Sequence, residues 1–390
     1  MKVDFTLSGE PGDGDLAAAA ELRRYDGIWL PEITHDPFPL LAVAASRTET
    51  IELGTAIAVA FARNPMSMAL VANDLQMYSG DRFLLGVGSQ IKPRITKRFS
   101  MPWSAPADRM REYVLAMREI HSWATGELLN FVGEFYTHTL MTPFFNPGLS
   151  PYGNPPIILA GVGPRMTQVA GEVADGFFVH GFTTERYMRE TTLRALRLGR
   201  AAVGNDNLDG FAISGLPFIV TGPDEKHVRA ADAATRKQIA IYGSTPAYRP
   251  VLEMHGWGQL GEELNQLSKH GEWDQMGRLI TDEMLHEFAI VAPPDQVAER
   301  LLTRYGDVFT RTGFTPPTRC PMGSGSRSCT SCRPLHSCRV SRQHEFAPAF
   351  VDAADTGSAV RVNASACCCW SGRRGYFVWL TRRRQHCTAR

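Results

Sequence analysis

Apolar runs and helix-start signals alternate along most of this chain. The run Ile51–Val59 is apolar almost without interruption, which is typical of a strand covered on both faces. It leads to Asn64, a natural helix N-cap, and to Pro65, which suits the first helical position because its missing N–H would have no partner there. A second buried run, Phe83–Gly88, follows that helix. Two buried strands on either side of a helix predict a parallel α/β core.

The same alternation continues to the last apolar segments. The predicted strands are Val3–Ser8, Gly27–Pro31, Ile51–Val59, Phe83–Gly88, Pro156–Ala160, Gly176–Val179, Phe211–Val220 and Phe288–Val291. The predicted helices are Asp15–Tyr25, Pro37–Thr48, Pro65–Tyr78, Ala107–Trp123, Pro164–Ala174, Thr184–Ala202, Asp224–Tyr242 and Pro294–Tyr305. Eight repeats favour a (β/α)₈ TIM barrel, with a doubly wound open sheet as the alternative.

The spacing of these elements predicts three insertions. One follows strand four, at Gln90–Pro106, and one precedes strand five, at Thr125–Gly153, with a hairpin-like segment at Leu128–Met141. A helical excursion, Thr245–Leu285, precedes strand eight. In barrels of this kind the chemistry lies where the strands end, so loops after strands are the places to look for a site.

Composition divides the chain near residue 319. All eight cysteines follow Arg319, and the last 71 residues hold eleven arginines, no lysine and three acidic residues. The body is therefore acidic although the whole chain has a net charge of +1. We interpret residues 1–318 as one barrel domain and residues 319–390 as a separate tail rich in cysteine and arginine.

The tail has three interpretations. A disulfide scaffold fits its cysteine density but not the absence of a secretory signal at the start of the chain. A zinc site would use Cys329, Cys332, His336 and Cys338, but no second spaced pair completes a ligand set. Arginine without lysine, among scattered Cys, Ser, Pro and Trp, is what an out-of-frame reading of GC-rich DNA produces. The sequence favours this last interpretation, a non-native and disordered tail outside the functional argument.

The body excludes several classes of function. Its negative charge gives no reason to expect nucleic-acid binding. No apolar run approaches the roughly 20 residues that span a bilayer. A cysteine-free body suits a reducing cytoplasm, so the sequence predicts a cytoplasmic protein acting on a small molecule, without a membrane or nucleic-acid partner and without a metal site.

Several short motifs, in a shared order, resemble the luciferase-like monooxygenase superfamily, and within it the oxidoreductases that depend on the deazaflavin coenzyme F-420. The resemblance covers about residues 1–315. The matching pieces are Leu53-Gly54-Thr55 with Arg63-Asn64-Pro65, Leu84–Ser89, Gly133–Tyr136, Ala160–Pro164, Ala170–Phe177 and Pro293–Leu301. It implies hydride transfer between F-420 and a small organic substrate. A flavin mononucleotide (FMN) monooxygenase of the same fold is the alternative, and a non-catalytic coenzyme-binding homologue is the second. Dimers are common among similar proteins, which makes a homodimer one expectation.

Two segments after early strands are candidates for the reaction. His35 follows the second strand, where the resemblance implies contact with coenzyme or substrate and an imidazole can donate a proton as hydride moves. Asp36 is expected to cap the helix that begins at Pro37. At Ala56-Ile57 the resemblance implies a non-prolyl cis peptide against the coenzyme ring.

Later loops supply candidates for binding. The turn Gly161-Val162-Gly163 precedes a helix start, where free N–H groups favour a phosphate, and Arg165 and Thr167 are expected to add contacts. Further candidates for coenzyme contact are Ser89 and Gln90 after strand four, and His180 after strand six. Lys92, Arg94, Lys97 and Arg98 form a basic insertion suited to an anionic coenzyme, although such a loop is as compatible with plain solvation.

Overall fold

A computed structural model of the protein describes residues 1–10, 12–122, 128–148, 150–205 and 207–314. The strands are β1 (Lys2–Thr6), β2 (Gly27–Leu30), β3 (Glu52–Thr55), β4 (Ala58–Val59), β5 (Phe83–Gly88), β6 (Phe131–Val132), β7 (Thr137–His138), β8 (Ile157–Gly161), β9 (Gly176–Val179), β10 (Ala212–Gly215), β11 (Phe218–Val220), β12 (Ala289–Val291) and β13 (Arg311–Phe314).

Helices follow most of these strands. They are α1 (Asp13–Leu22), α2 (Pro37–Ala45), α3 (Pro65–Ser79), α4 (Pro106–His121), α5 (Pro164–Val173), α6 (Glu185–Tyr187), α7 (Leu193–Ala202), α8 (Glu225–Gly243), α9 (Arg249–Met254), α10 (Gly258–His270), α11 (Trp273–Arg278), α12 (Asp282–Phe288) and α13 (Val297–Tyr305). Two of the predicted caps are present, since Asp36 accepts from the backbone N–H of Phe38 and Asn64 accepts from that of Ser67.

Eight strands close into one parallel ring. Its order is β1, β2, β3, β5, β8, β9, β10 and β13, and β13 pairs again with β1. The (β/α)₈ barrel is therefore confirmed and the open sheet is excluded. Inside the barrel Trp29 meets Phe178 edge to face, with ring centroids 4.8 Å apart. The main apolar core lies between the strands and the helices outside them.

The eighth strand is not where the sequence predicted it. Residues 289–291 do form a strand, β12, but it pairs with β11 in a separate two-stranded sheet outside the barrel. The predicted strand Phe211–Val220 is interrupted at Leu216-Pro217, since a proline has no N–H for a ladder. Its first part, β10, stays in the barrel, and β13 closes the ring between β10 and β1.

The insertions fall where the sequence placed them. The segment after β5 continues into a π-helical turn, Arg94–Arg98, ahead of α4. The short antiparallel pair β6–β7 lies ahead of β8. Helices α9–α12 precede the final barrel strand, and with α8 and β11 they share an apolar core of their own. Within the described ranges, no helix combines the length and apolar character needed to cross a membrane.

The predicted domain boundary at residue 318 and the Cys/Arg-rich tail at 319–390 lie outside the described residues. Both stay predictions.

Candidate active site

The strand register brings the predicted site residues to one rim of the barrel. Gly88 of β5 pairs with Ala160 of β8, and Gly161 pairs with Val179 of β9. Ser89, the Gly161–Gly163 turn and His180 therefore leave neighbouring strands at the same edge. On the other side of β5, Thr55 at the end of β3 pairs with Leu30 at the end of β2, which adds Ala56 and His35 to that rim. We call this rim the mouth of the barrel.

The backbone after β3 is held against the end of β2. The peptide bond between Ala56 and Ile57 is cis, as the resemblance implies. Ala56 donates its N–H to Leu30 O at 2.9 Å, and Ile57 O accepts from the N–H of Glu32 at 3.2 Å. Both side chains are half-buried and pack on the interior cluster of Trp29 and Phe178. This segment therefore gives the mouth an apolar floor.

A glycine on the next strand makes room for that floor. A Cβ built on Gly88 would lie 2.9 Å from Cδ1 of Ile57, closer than real Cβ atoms approach. The residue that follows, Ser89, is half-buried, and its hydroxyl donates to Gln90 O at 3.2 Å. The end of β5 therefore has room for the side chain of Ile57 because Gly88 has no Cβ, and it is followed by the small polar side chain of Ser89.

An ion-pair cluster that the sequence did not predict links the loops after β2 and β3. Arg63 donates to Glu32 at 2.7 Å and to Asp36 at 2.6 Å, and Glu32 also accepts from the N–H of Val59 at 2.8 Å. Burial alone would lower the pKa of Arg63, but the bonds to Glu32 and then to Asp36 raise it above its usual range. The sequence analysis assigned Glu32 no role and quoted Arg63 only within a family motif.

His35 lies on the loop that this cluster holds. Its side chain is exposed, and it has no hydrogen-bond or ion-pair partner in the described part of the chain. The neighbouring Ile33 O accepts from Arg98 at 2.7 Å. The basic insertion after β5 therefore reaches the His35 loop, and the imidazole faces solvent between them.

The glycine turn after β8 begins α5 as predicted. Gly163 has φ +81° and caps the helix without a side-chain hydrogen bond, and a Cβ built on it meets nothing within 4 Å. Val162 is exposed. The helix N-terminus therefore opens onto free space, as an anion-binding turn requires.

Two neighbours of the turn have other partners. Arg165 pairs with Glu172 at 2.7 Å and with Asp108 at 3.0 Å. The hydroxyl of Thr167 donates to Gly163 O at 2.9 Å. In this structure both side chains have partners on α5 or its neighbour α4. A phosphate contact from Arg165 stays a prediction, and such a contact would compete with the bonds to Glu172 and Asp108.

His180 is enclosed by aromatic side chains. It stacks on Tyr248, with ring centroids 4.7 Å apart, and meets Tyr242 edge to face at 4.7 Å. Its Nδ1 accepts from the N–H of Phe182 at 3.0 Å, and its Nε2 lies 3.2 Å from the Tyr248 hydroxyl. Burial lowers the pKa of His180 to about 4, so the ring is neutral near pH 7. The sequence analysis named His180 but not the tyrosines.

The four basic side chains after β5 are exposed. Lys92, Arg94, Lys97 and Arg98 reach past the mouth. Arg94 lies close enough to Tyr248 to oppose the rise in its pKa. Among the described residues, no three His, Cys, Asp or Glu side chains are grouped to hold a metal ion.

Comparisons with known proteins agree with this architecture. The family model described as luciferase-like monooxygenase matches residues 14–311. The chain is 53% identical over 313 residues to the uncharacterized protein Rv1360 of Mycobacterium tuberculosis, covering 80% of this chain and 92% of that protein. It is 26% identical to a putative coenzyme F420-dependent oxidoreductase, Rv3520c, of the same organism, covering 74% of this chain and 85% of the relative.

A solved structure shows the same fold. The coenzyme F420-dependent tetrahydromethanopterin reductase of Methanopyrus kandleri superposes with a TM-score of 0.65 at 20% sequence identity, covering 81% of this chain and 93% of that one.

Proposed function

This chain belongs to the luciferase-like monooxygenase family, and on that premise we propose that it is an oxidoreductase transferring a hydride between coenzyme F-420 and a small organic substrate. One observation carries the proposal: His35, the Ala56-Ile57 segment and the Gly161–Gly163 turn leave strands of one closed barrel at one mouth. Relatives and neighbours whose names include coenzyme F420 support the choice of coenzyme.

The mouth has an apolar floor that suits a flat ring. Ala56, Ile57 and Ala160 are partly buried above the interior cluster of Trp29 and Phe178. A coenzyme site is a concave, mostly apolar surface with a few polar groups placed at its edge. Ala56, Ile57 and Ala160 would hold a tricyclic ring by apolar contact, and Ser89 and the loop of His35 would supply polar groups beside it.

The glycine turn suits a phosphate. Open space lies in front of Gly163, and α5 begins without a side-chain cap, so its first N–H groups are available to an anion. The basic insertion supplies positive charge near the same mouth. A coenzyme with a phosphodiester and an acidic tail would be attracted by both features. The residues present therefore fit F-420.

F-420, when bound, supplies a ring carbon that accepts or donates hydride. The chain's own residues orient and shield that carbon. We assign His35 the proton that must move with the hydride, since an imidazole can hold or release one. The role of Arg63, with Glu32 and Asp36, is to hold the loop that carries His35.

Coenzyme titration of the full chain tests the proposal. F-420 is added to the protein and its fluorescence is followed, and reduced F-420 is then incubated with a panel of small organic acceptors. Saturable binding with coenzyme oxidation is the expected result. Absence of F-420 binding would overturn the proposal.

A second candidate is an FMN-dependent monooxygenase. Its ring and phosphate resemble those of F-420, so the apolar floor and glycine turn would accept either coenzyme. FMN binding with oxygen consumption, together with weaker binding of riboflavin, which lacks the phosphate, would favour it. Binding of either coenzyme without turnover on any acceptor would indicate a non-catalytic homologue.

Two further expectations stay with this proposal. The cysteine-free body suits a reducing compartment, and we propose that the protein acts in the cytoplasm. A homodimer remains an expectation, for which size measurement in solution is the test.

A further inference from the structure

A tyrosine at the mouth has a hydroxyl hydrogen without an acceptor. An amide N–H only donates, so the bond from Phe182 makes Nδ1 of His180 the acceptor. The neutral imidazole then carries its proton on Nε2, 3.2 Å from the Tyr248 oxygen. Because Tyr248 accepts there, its own hydrogen is left for another group. Among the described residues no second partner lies within hydrogen-bonding distance of that hydroxyl.

The groups around the Tyr248 hydroxyl keep it neutral near pH 7. Burial, and then the nearby Tyr242, raise the pKa of Tyr248 to about 12 against the effect of Arg94, so it is a neutral donor near pH 7. Tyr242 and Phe218 continue the aromatic surface, with ring centroids 6.3 Å apart. Neither Tyr248 nor Tyr242 is fully buried. These rings form an aromatic wall that is apolar apart from the hydroxyl groups of Tyr248 and Tyr242.

The aromatic wall is attached to the strand end next to the glycine turn. His180 follows β9, whose Val179 pairs with Gly161 at the start of the glycine turn. Arg94 approaches Tyr248 from the insertion after β5. A ligand touching Tyr248 would therefore stand beside a coenzyme phosphate held at Gly163.

We propose that Tyr248, held by His180, donates a hydrogen bond to the carbonyl oxygen of an uncharged substrate with a planar, apolar body. This inference rests on the proposed function and names the substrate class of that site. Tyr248 is the substrate-binding residue and His180 is a positioning residue that acts through it. Neutral His180 offers an anion no charge, whereas Arg94 would attract one, so the test below includes an anionic probe.

The test uses three small probes and the full chain. Acetophenone carries a carbonyl, ethylbenzene lacks an oxygen, and benzoate is an anion of similar size. Binding of each probe is measured by calorimetry in the presence of oxidised F-420. The carbonyl stretch of bound acetophenone is measured by infrared difference spectroscopy, because a hydrogen bond lowers its frequency.

The decisive variant is Tyr248→Phe, with Tyr242→Phe as its matched control. Tyr242 lies in the same cluster, and its hydroxyl accepts from Gln238 at 3.3 Å. Wild type and Tyr242→Phe should prefer acetophenone to ethylbenzene and lower its carbonyl frequency. In Tyr248→Phe the ratio of acetophenone affinity to ethylbenzene affinity should fall by about three- to tenfold, which is what one hydrogen bond contributes. The carbonyl frequency of bound acetophenone should no longer be lowered.

A second variant tests the positioning role. His180→Phe keeps an aromatic ring against Tyr248 but removes Nε2, so the phenol is free to turn. We expect a carbonyl frequency between those of wild type and Tyr248→Phe. A frequency equal to wild type would overturn the role of His180.

Three outcomes would overturn the subsite itself. One is an unchanged preference in Tyr248→Phe, and another is an equal loss in Tyr242→Phe. The third is that the wild type binds benzoate more tightly than acetophenone and that Tyr248→Phe weakens the binding of benzoate. That result would show that Tyr248 binds an anion. Failure of the wild type to bind F-420 would instead count against the proposed function, so the two failures are distinguishable.

Discussion

The two ends of the barrel both hold buried ion pairs, but they differ in how much polar surface and open space lies beside those pairs. At the amino end of the strands, Asp4 is fully buried and accepts from Arg311 at 2.7 Å through two nitrogens and from Trp29 at 2.8 Å. Arg311 also pairs with Glu52 at 2.9 Å. At the mouth, His35 is exposed and has no partner among the residues that the structure describes, and Gly163 faces open space.

This difference between the two ends indicates that the amino end stabilises the barrel and that the mouth binds the ligand. At the amino end the buried charges of Asp4 and Arg311 are paired with each other, and this pair joins the first and last strands. The mouth leaves donors and space uncommitted, which costs stability but allows a ligand to bind. This division is general in barrels of this fold, whose sites lie at the carboxyl ends of the strands.

The largest expected effect is at the amino end. Asp4→Asn leaves the charge of Arg311 with Glu52 as its remaining partner, and breaking a buried pair costs about 3–5 kcal/mol. Urea unfolding of wild type and variant measures this. The control is Glu225→Gln, which breaks the exposed pair with Arg229 and should cost less than about 1 kcal/mol. An equal loss of unfolding free energy in Asp4→Asn and Glu225→Gln would show that the buried pair at the amino end stabilises the protein no more than an exposed pair does.

At the mouth the expected loss is in rate. His35→Ala should lower kcat by about 100-fold or more, the usual contribution of a positioned acid or base. It should change the free energy of unfolding by no more than about 0.5 kcal/mol, since the side chain is exposed. Turnover is measured with any acceptor that oxidises reduced F-420 in the wild type. The control, His270→Ala, removes an exposed histidine on α10 and should leave kcat unchanged. A similar kcat in His35→Ala and wild type would refute the role of His35.

The same substitution at both ends compares them directly. Gly163 at the mouth has φ +81° and Gly204, ahead of β10, has φ +79°, each with free space around a built Cβ. Gly204→Ala should cost about 1–2 kcal/mol in unfolding from backbone strain. Gly163→Ala should cost about 1–3 kcal/mol, because its φ of +81° and ψ of 156° lie in a region that is essentially restricted to glycine.

Only Gly163→Ala should weaken F-420 binding, by about tenfold, which corresponds to about 1.4 kcal/mol. Fluorescence titration of both variants checks this. Equal affinities would place the phosphate elsewhere.

A pH dependence of stability is also expected at the mouth. Burial holds the pKa of His180 near 4, whereas an unfolded histidine titrates near pH 6.5. Between these values the unfolded chain binds more protons, so the free energy of unfolding should fall as pH falls from about 6.5 to 4, by up to about 1.4 kcal/mol per pH unit. Above that window the ring is neutral in both states and contributes nothing.

Urea unfolding of wild type and His180→Gln from pH 7.5 to 4 measures the difference. Tyr242 and Tyr248 lie against the ring and Arg94 lies near Tyr248; the pKa of Tyr248, about 12, keeps that phenol neutral over this range. Parallel curves for the two proteins would show that His180 contributes no such dependence.

Local signals explain what could be predicted. Caps such as Asn64-Pro65 and buried runs such as Phe83–Gly88 depend on neighbouring residues, and the structure has a helix or strand at each. The eighth barrel strand was missed because Arg311-Thr312-Gly313 is not an apolar run. Its polarity is explained only by Asp4, which lies 307 residues away in the chain.

The same limit applies to the site. His35 and the glycine turn were found because each follows a strand end that the sequence marks. Tyr248 carried no such signal, since its partner His180 is 68 residues away. Arg165 looked free for a phosphate until the structure placed Glu172 and Asp108 beside it.

The sequence by itself determined the repeating strands and helices, their caps and the loops that carry the candidate site, because each of these depends on contacts within a few residues. Only the tertiary structure decided which strand closes the ring, which charges are neutralised and which aromatic rings enclose His180. Those features depend on contacts between residues that are far apart in the chain, and the spacing of those residues in the sequence does not show which of them are in contact.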